Sequence, residues 1–267
     1  MGGALVAGML RAGVTTPERL TATVRTPQHA ESLALRHGIR VTAGGNREAA
    51  EHSDIIVVAV KPHAMPQVLD EIRWGLREGR ILISMVAAVP MAVIEQIVDR
   101  PLPIFRAMAN TPVTVGGGAT AIAANALATP DDYTRVEHIF RSVGAVCYLD
   151  EDQLHAVTAL SGAGPAYVYT VIEALTAAGL KVGLPRDAAA SLAVQTVLGA
   201  AKLVRESGTH PAVLRDQVVT PGGVTIEGLY QLERRGIRSM FMAAVEAGTR
   251  KSRDISAAIA RRLRPNE

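Results

Sequence analysis

The sequence predicts two folds in series, an α/β half built on an open, mostly parallel sheet and then an all-helical half. Three observations carry this. Short apolar, β-branched runs such as DIIVVAV (54–60) and RILISMVA (80–87) recur between helical segments, the mark of strands buried on both faces of a parallel sheet. That strand signal stops near Asp150. Beyond it, segments such as AYVYTVIEALTAAG (166–179) are apolar at almost every position, and a helix apolar on all faces must be covered on all faces. The expected domains are 1–152 and 153–267.

Element by element, the helical GALVAGMLRAG (3–13) comes first, then a strand, RLTATVR (19–25). PQHAESLALRHG (27–38) is a helix with Gly38 placed as its C-cap. IRVT (39–42) is a strand and NREAAEH (46–52) a short helix. DIIVVAV and RILISMVA are strands separated by the helical MPQVLDEIRWGL (65–76). PMAVIEQIV (90–98) is a helix, PIFRAMA (103–109) a strand, and GGATAIAA (117–124) a further strand candidate. The helix PDDYTRVEHIFRSV (130–143) and the strand GAVCYL (144–149) close the first half. This alternation is the mark of an α/β sheet. The second half reads as helices over 166–179, 186–207, 211–218, 225–236 and 239–255.

Composition narrows the function classes. Of 267 residues, 48% are hydrophobic and 20% charged, so a large core is available and disorder is disfavoured. Aromatics are 3%, so that core is aliphatic and alanine-rich. Net charge is +3 with scattered basic residues, and no basic stripe interleaved with aromatics argues for nucleic acid. The dense basic run RRLRP (261–265) reads as a solvated tail. The single cysteine, Cys147, excludes an intrachain disulfide framework and fits a reducing cytoplasm. Its place in GAVCYL predicts a buried small hydrophobe. No secretory leader and no uninterrupted apolar run of membrane-spanning length is seen. His63, His155 and His210 form no ligand spacing, so no metal is expected. Two all-apolar helices in the second half exceed what one chain can enclose there, which predicts a homodimer at least, a monomer whose helices lie against the sheet half being the alternative.

The opening MGGALVAG (1–8) looks like the helix side of a dinucleotide-binding turn, in which glycines admit the pyrophosphate to a helix N-terminus. The strand and the first two glycines of that motif are not in the sequence, so the α/β half is a Rossmann-like domain with its first strand missing. A start placed downstream of the true one is the expected reason, a shortened relative the alternative. Without that strand its neighbours in the sheet are expected to show unpaired edges. Arg25 and Thr26 end the next strand, where an acid reads the 2′-hydroxyl of NAD and an arginine accommodates the 2′-phosphate of NADP. NADP(H) is therefore favoured over NAD(H). Arg25 as a plain surface charge is the alternative.

More specific stretches follow. They are VVAVKPHAMPQVL (57–69), FRAMANTPVTVGGGATAIA (105–123), LSGAGPAYVYTVIEALTAAGLKVGLPRDAA (160–189), QTVLGAAKLV (195–204) and the long run beginning HPAVLRDQVVTPGGVTIEGLYQLERRG at 210. In this order, from Met1 to about Ser252, they resemble the pyrroline-5-carboxylate reductase family. The resemblance implies an NAD(P)H-binding Rossmann domain and a helical domain that intertwines with its mate, giving dimers or pentamers of dimers. It implies hydride transfer to the C=N bond of 1-pyrroline-5-carboxylate, yielding L-proline. It assigns Met1 and Gly2 to the surviving glycine turn and Arg25 and Thr26 to the 2′-phosphate. Asn46 would lie near the adenine, and Ala59, Val60, Lys61 and Pro62 along the pyrophosphate and nicotinamide ribose. Ala87 would lie near the nicotinamide. Gly223, Val224 and Thr225 would receive substrate, and Asn110, in the family's M-P-N-T-P segment, would also bind it. Ala109, Ala163 and Gln217 stand where the family commonly has proline, serine and asparagine.

The chemistry asks little of a side-chain acid. A protonated cyclic imine accepts hydride readily, and a hydroxyl at its nitrogen orients or relays the proton, the role expected of Thr225. Gly222 and Gly223 let backbone N–H groups face a carboxylate at a helix start, while a plain N-cap is the structural alternative for Thr225. Lys61 reads as a phosphate contact, a general acid or a strand stop. Ser161 in LSGAGPAY reads as a cap of the following helix. Two rivals remain open. One is a reductase of β-hydroxyacid dehydrogenase type, using Lys181 or Lys202. The other is a non-catalytic homo-oligomeric relative without its cofactor turn.

Overall fold

A computed structural model describes residues 1–263. Packing divides the chain into two compact units, Met1–Ala163 joined by the chain from Glu246 onward, and Gly164–Val245. The first unit thus runs past the sequence boundary at 152 and recovers the end of the last helix.

In chain order the first unit contains α1 (Gly2–Arg11), β1 (Thr21–Val24), α2 (Pro27–His37), β2 (Arg40–Ala43), α3 (Asn46–Glu51), β3 (Ile55–Val58), α4 (Met65–Ile72), β4 (Ile81–Ser84), α5 (Met91–Val98), β5 (Ile104–Ala109), β6 (Gly118–Ala124), α6 (Pro130–Arg141), β7 (Gly144–Tyr148) and α7 (Leu154–Val157). Local signals explain many boundaries. Gly38 closes α2 at φ +67°, a conformation glycine adopts without cost. Thr129 and Asp132 form a reciprocal capping box at the start of α6.

The sheet is split. β1 and β2 pair as one parallel ribbon, and β3-β4-β5-β6-β7 form a second sheet. β3, β4 and β5 are mutually parallel, β6 is antiparallel to β5, and β7 runs parallel to β6. In a doubly wound sheet ordered 3-2-1-4-5-6, the strand entering the glycine turn separates the two groups. Among the described residues β1 pairs with no strand besides β2, and β3 with none besides β4. This corrects the expectation for DIIVVAV. Ile55, Ile56 and Val57 are only partly buried, whereas all four residues of β4 are buried. Full burial of β3 needs a neighbour on each edge.

Side chains alternate across the five-stranded sheet, as strand geometry requires. Ile81, Ile83, Phe105 and Ile122 join Leu5 and Met9 of α1 and Val136, Ile139 and Phe140 of α6 on one face. Leu82 and Ile104 join Leu69 and Ile72 of α4 and Val93, Ile94 and Val98 of α5 on the other. Cys147 corrects a second expectation. It is exposed, because among the described residues β7 pairs only with β6 and forms the sheet's outer edge.

The second unit contains α8 (Gly164–Lys181), α9 (Arg186–Ser207), α10 (Pro211–Gln217), α11 (Val224–Arg234) and the first part of α12 (Ile237–Leu263). α8 packs on α9. A Cβ on Gly179 would come within 2.9 Å of the Ala189 Cβ, so the two helices touch nearly backbone to backbone. Yet α8 has no buried residue, and α9 buries only Ala189 and Ala193. Tyr169, Leu192, Leu198, Leu203 and Met242 are all more than half exposed. An apolar surface of this kind on one chain marks an association site. By length and composition α9 is also the one described helix able to cross a membrane.

The last part of α12 belongs to the first unit, where Ile259 and Ala260 pack against the α4–α5 core. Arg261 and Arg262 lie in its exposed last turn. The rest of the basic run lies outside the described residues.

Candidate active site

β3 and β4 run in register from Ile55↔Ile81 to Val58↔Ser84, so the loops after them leave the same carboxyl edge of the sheet. Ligands of open α/β sheets bind at that edge. After β3 come Ala59, Val60 and Lys61, and Pro62 opens a short 3₁₀ turn through Ala64. Gly2, the first residue of α1, reaches this loop. A Cβ on Gly2 would stand 3.3 Å from that of Ala59. Met1 is the N-cap of α1, and its carbonyl accepts from the Ala4 and Leu5 N–H groups at 3.0 and 3.1 Å. No side chain caps this end. The Gly2 and Gly3 N–H groups, the first of the helix, have no intrahelical acceptor.

After β4 the chain turns through Val86, Ala87, Ala88 and Val89. Val86 and Val89 are buried, while Ala87 is exposed. Ala88 sits at φ +63°, a left-handed conformation costly for any residue with a Cβ. Met85 N–H bonds to the Val58 carbonyl at 2.9 Å, and Val86 N–H to Ser84 Oγ at 3.3 Å. The turn's far end is held by Glu151, whose Oε1 accepts from Met91 N–H and from Arg106 Nη1, each at 2.6 Å.

The other expected residues fall in two groups. Arg25 follows β1 and is exposed, and Lys61 is exposed. Neither has an ion-pair partner among the described residues. Thr26 is the N-cap of α2 and accepts from His29 N–H at 3.4 Å. Asn46 is committed to internal bonds. Its Oδ1 accepts from Thr23 Oγ1 at 2.5 Å, and its Nδ2 donates to Glu71 Oε2 at 2.6 Å. Asn110 is committed as well, its Oδ1 accepting from Ala119 N–H at 2.9 Å and its Nδ2 donating to the Ser161 carbonyl and Oγ, both at 3.3 Å. Ser161 is a correction. It lies inside a π-helical turn, Thr158–Gly162, and meets Asn110 instead of capping α8.

In the second unit, Thr220–Pro221–Gly222–Gly223 forms a tight turn. Gly223 N–H bonds to the Thr220 carbonyl at 3.0 Å, and Gly222 takes φ +67°. A Cβ on Gly223 would collide with the Thr220 hydroxyl. Gly223, not Thr225, is the N-cap of α11, and no side chain caps this helix. Thr225 is half-buried, and its hydroxyl has no hydrogen bond among the described residues. Val224 is 92% exposed. The N–H groups of Val224, Thr225 and Ile226 thus open outward at a positive helix end. Lys202 pairs with Glu206 at 3.8 Å on the α9 surface and forms no other ion pair among the described residues.

Sequence reasoning missed Glu151 and Arg106. Glu151 lies in the acidic run DED, which reads as a solvated loop, and only the fold brings it to Met91 and Arg106. No group of metal-ligating side chains occurs among the described residues.

A helix opened by glycine beside the carboxyl edge of a parallel sheet is the arrangement of a dinucleotide-binding domain. Residues 1–88 match a family described as NADP oxidoreductase, coenzyme F420-dependent. Residues 151–255 match pyrroline-5-carboxylate reductase dimerisation. A pyrroline-5-carboxylate reductase of Methanosarcina acetivorans is 38% identical over 255 residues, covering 96% of this chain and 94% of its own. One from Synechocystis is 40% identical over 258 residues, with coverage of 96% and 94%. The solved pyrroline-5-carboxylate reductase of Coxiella burnetii superposes with TM-score 0.90 at 35% identity, covering 94% of this chain and 93% of its own. The Plasmodium falciparum pyrroline carboxylate reductase, solved with NADP bound, gives 0.84 at 35% identity, with coverage of 96% and 94%. The chain belongs to the pyrroline-5-carboxylate reductase family. Neither rival reading is favoured by these relatives, and the dimerisation match supports self-association.

Proposed function

We propose that the protein reduces 1-pyrroline-5-carboxylate to L-proline with NADPH as the favoured reductant and NADH as the alternative. The observation that carries this reading is the glycine-led start of α1 beside Ala59, together with the Gly222–Gly223 turn that opens α11. Bound reduced nicotinamide supplies the hydride for the imine carbon, while the imine nitrogen keeps or gains a proton. The residues fit such a cofactor. Gly2 and Gly3 offer free N–H groups at the start of α1, Gly2 beside Ala59, as a pyrophosphate requires. Lys61 and Arg25 supply unpaired positive charge, Arg25 toward a 2′-phosphate. Thr26 fixes the first turn of α2 next to it. Ala59, Val60 and Pro62 line the exit of β3, and Ala87, small and exposed, leaves room for a nicotinamide ring. Asn46 serves the site by tying β1 to α3 and α4.

At the second helix start, Gly223, Val224 and Thr225 receive the substrate. The N–H groups of Val224 and Thr225 bind its carboxylate, and the Thr225 hydroxyl, free of internal bonds, orients the ring nitrogen and relays its proton. Asn110 contributes by holding the segment after β5 in shape, since its amide is already spent internally. The minimal assembly is a homodimer built on Gly164–Val245, which covers the apolar faces of α8 and α9 with protein and not with lipid. Dimers gathered into a decamer extend the same plan. One unpaired cysteine suits a reducing cytoplasm.

The test is a direct assay of the purified chain. NADPH consumption that depends on pyrroline-5-carboxylate and matches proline formed one for one is the expected result. The absence of both NADPH binding and proline formation would leave the non-catalytic reading in its place.

A further inference from the structure

The Glu151 carboxylate is joined to the turn that carries Ala87. Met91 is the first residue of α5, and its N–H donates to Glu151 Oε1 at 2.6 Å. Pro90, the N-cap, has no side-chain acceptor to offer, and α5 has no acid in its first turn. Glu151 therefore supplies from a distant segment an acceptor and a negative charge for the open N-terminal end of α5. The same oxygen accepts from Arg106 Nη1 at 2.6 Å, and Arg106 is only 8% exposed at its side chain. Arg106 lies on β5 in register with Ser84 of β4. Ser84, 1% exposed, holds Val86 N–H at the near end of the turn.

The turn from Met85 to Met91 is thus clamped at both ends. The near clamp is Ser84 and the Val58 carbonyl, and the far clamp is Glu151 backed by Arg106. Between them Ala88 is held at φ +63°. A non-glycine residue keeps that conformation only where its surroundings over-determine it. The two clamps together can do so here, and the far one alone acts on the side of Ala88 that leads into α5.

We infer that Glu151 is a positioning residue for the nicotinamide half of the cofactor, acting through Met91 N–H on the Ala87–Ala88 turn. This rests on the reading above that Ala87 lies beside the nicotinamide. Glu151 does not touch substrate or cofactor. Its carboxylate fixes where the turn stands, and Arg106 keeps that carboxylate in place.

Cofactor halves separate this role from a general structural one. Full-length chains with Glu151→Ala and Glu151→Gln are titrated with NADPH and, separately, with adenosine 2′,5′-bisphosphate, which lacks the nicotinamide half. In Glu151→Ala, NADPH affinity is expected to fall about tenfold, the scale of one lost charge-assisted bond. Adenosine 2′,5′-bisphosphate affinity is expected to stay within about twofold. Glu151→Gln keeps a carbonyl acceptor for Met91 N–H and is expected to recover most of the NADPH affinity. Three results would overturn the proposal. In the first, NADPH affinity is unchanged in Glu151→Ala. In the second, both ligands weaken equally. In the third, Glu151→Gln is as impaired as alanine, which would trace the effect to an uncompensated Arg106. No NADPH binding by the unsubstituted chain would overturn the cofactor reading together with this one.

Discussion

Arg106 and Glu151 form an unequal pair. Their atoms meet at 2.6 Å, but the arginine side chain is 8% exposed and the glutamate 34%. The arginine also leaves its Nε buried without a partner. Removing the acid strands a buried cation, whereas removing the arginine leaves an acid that water can reach and Met91 N–H still contacts. Glu151→Ala is therefore expected to cost about 3 kcal/mol, in the range for a buried charge left alone. Arg106→Leu is expected to cost only about 1 kcal/mol, because a leucine fills apolar space in β5. Urea unfolding of both variants measures this ordering, and equal costs would contradict it.

A second expectation concerns pH. His155 Nδ1 lies 3.0 Å from Ser252 Oγ, and Ser252 is buried. Burial lowers the His155 pKa most, and the charges of Arg106 and Arg253 lower it further, while Asp152 and Glu151 oppose them. The unfolded chain takes up this proton near pH 6.5, at which the folded chain still resists it. Below that pH the unfolded state binds more protons, so stability must fall. The contribution is complete above about pH 7 and is lost as pH drops through about 6.5 toward the folded value. Denaturation midpoints at about pH 7.5 and about pH 5 are expected to differ more for the parent chain than for His155→Gln. An identical pH dependence in the two would remove His155 as the cause.

Arg25 makes a prediction about cofactor choice. It is exposed and has no acid to neutralise it among the described residues. Arg25→Ala is expected to raise the KM for NADPH roughly tenfold to a hundredfold while changing that for NADH little, since one charge-assisted phosphate contact is worth about 1.5–3 kcal/mol. Steady-state kinetics with both cofactors gives the answer. Equal effects on both would make Arg25 a surface charge.

Thr225 should separate activity from stability. Its hydroxyl makes no bond within the described chain, and Gly223 is the N-cap of α11. Thr225→Ala is expected to lower kcat by about a hundredfold, the scale of a lost proton-handling group. Its melting temperature is expected to stay within about 2 °C, as for a substitution that breaks no internal contact. Unchanged turnover would take Thr225 out of the mechanism.

Much of this was legible in the sequence because local signals and the global fold agree. The capping Gly38, the β-branched run of β4 and the apolar all-round helices α8 and α9 each name their element without help. Misreadings came where an outcome depends on a neighbour. The run of β3 looks like that of β4, but its burial requires a strand on either side. Cys147 sits in an apolar run, but on an edge strand one face stays open. Ser161 precedes a helix, as a cap would, yet a π-helical turn carries it to Asn110. Glu151 was illegible for the same reason. Its partners are 45 and 60 residues away in sequence, and nothing in a loop acid announces which N–H group it will find.

Isotope transfer tests hydride delivery to the imine most directly. The chain is supplied with pyrroline-5-carboxylate and NADPH carrying deuterium at the transferable C4 position, and the proline formed is examined by mass spectrometry and NMR. Proline bearing deuterium at the former imine carbon, in step with NADP⁺ released, is the expected result. Proline without deuterium, or none at all while NADPH remains bound, would contradict it.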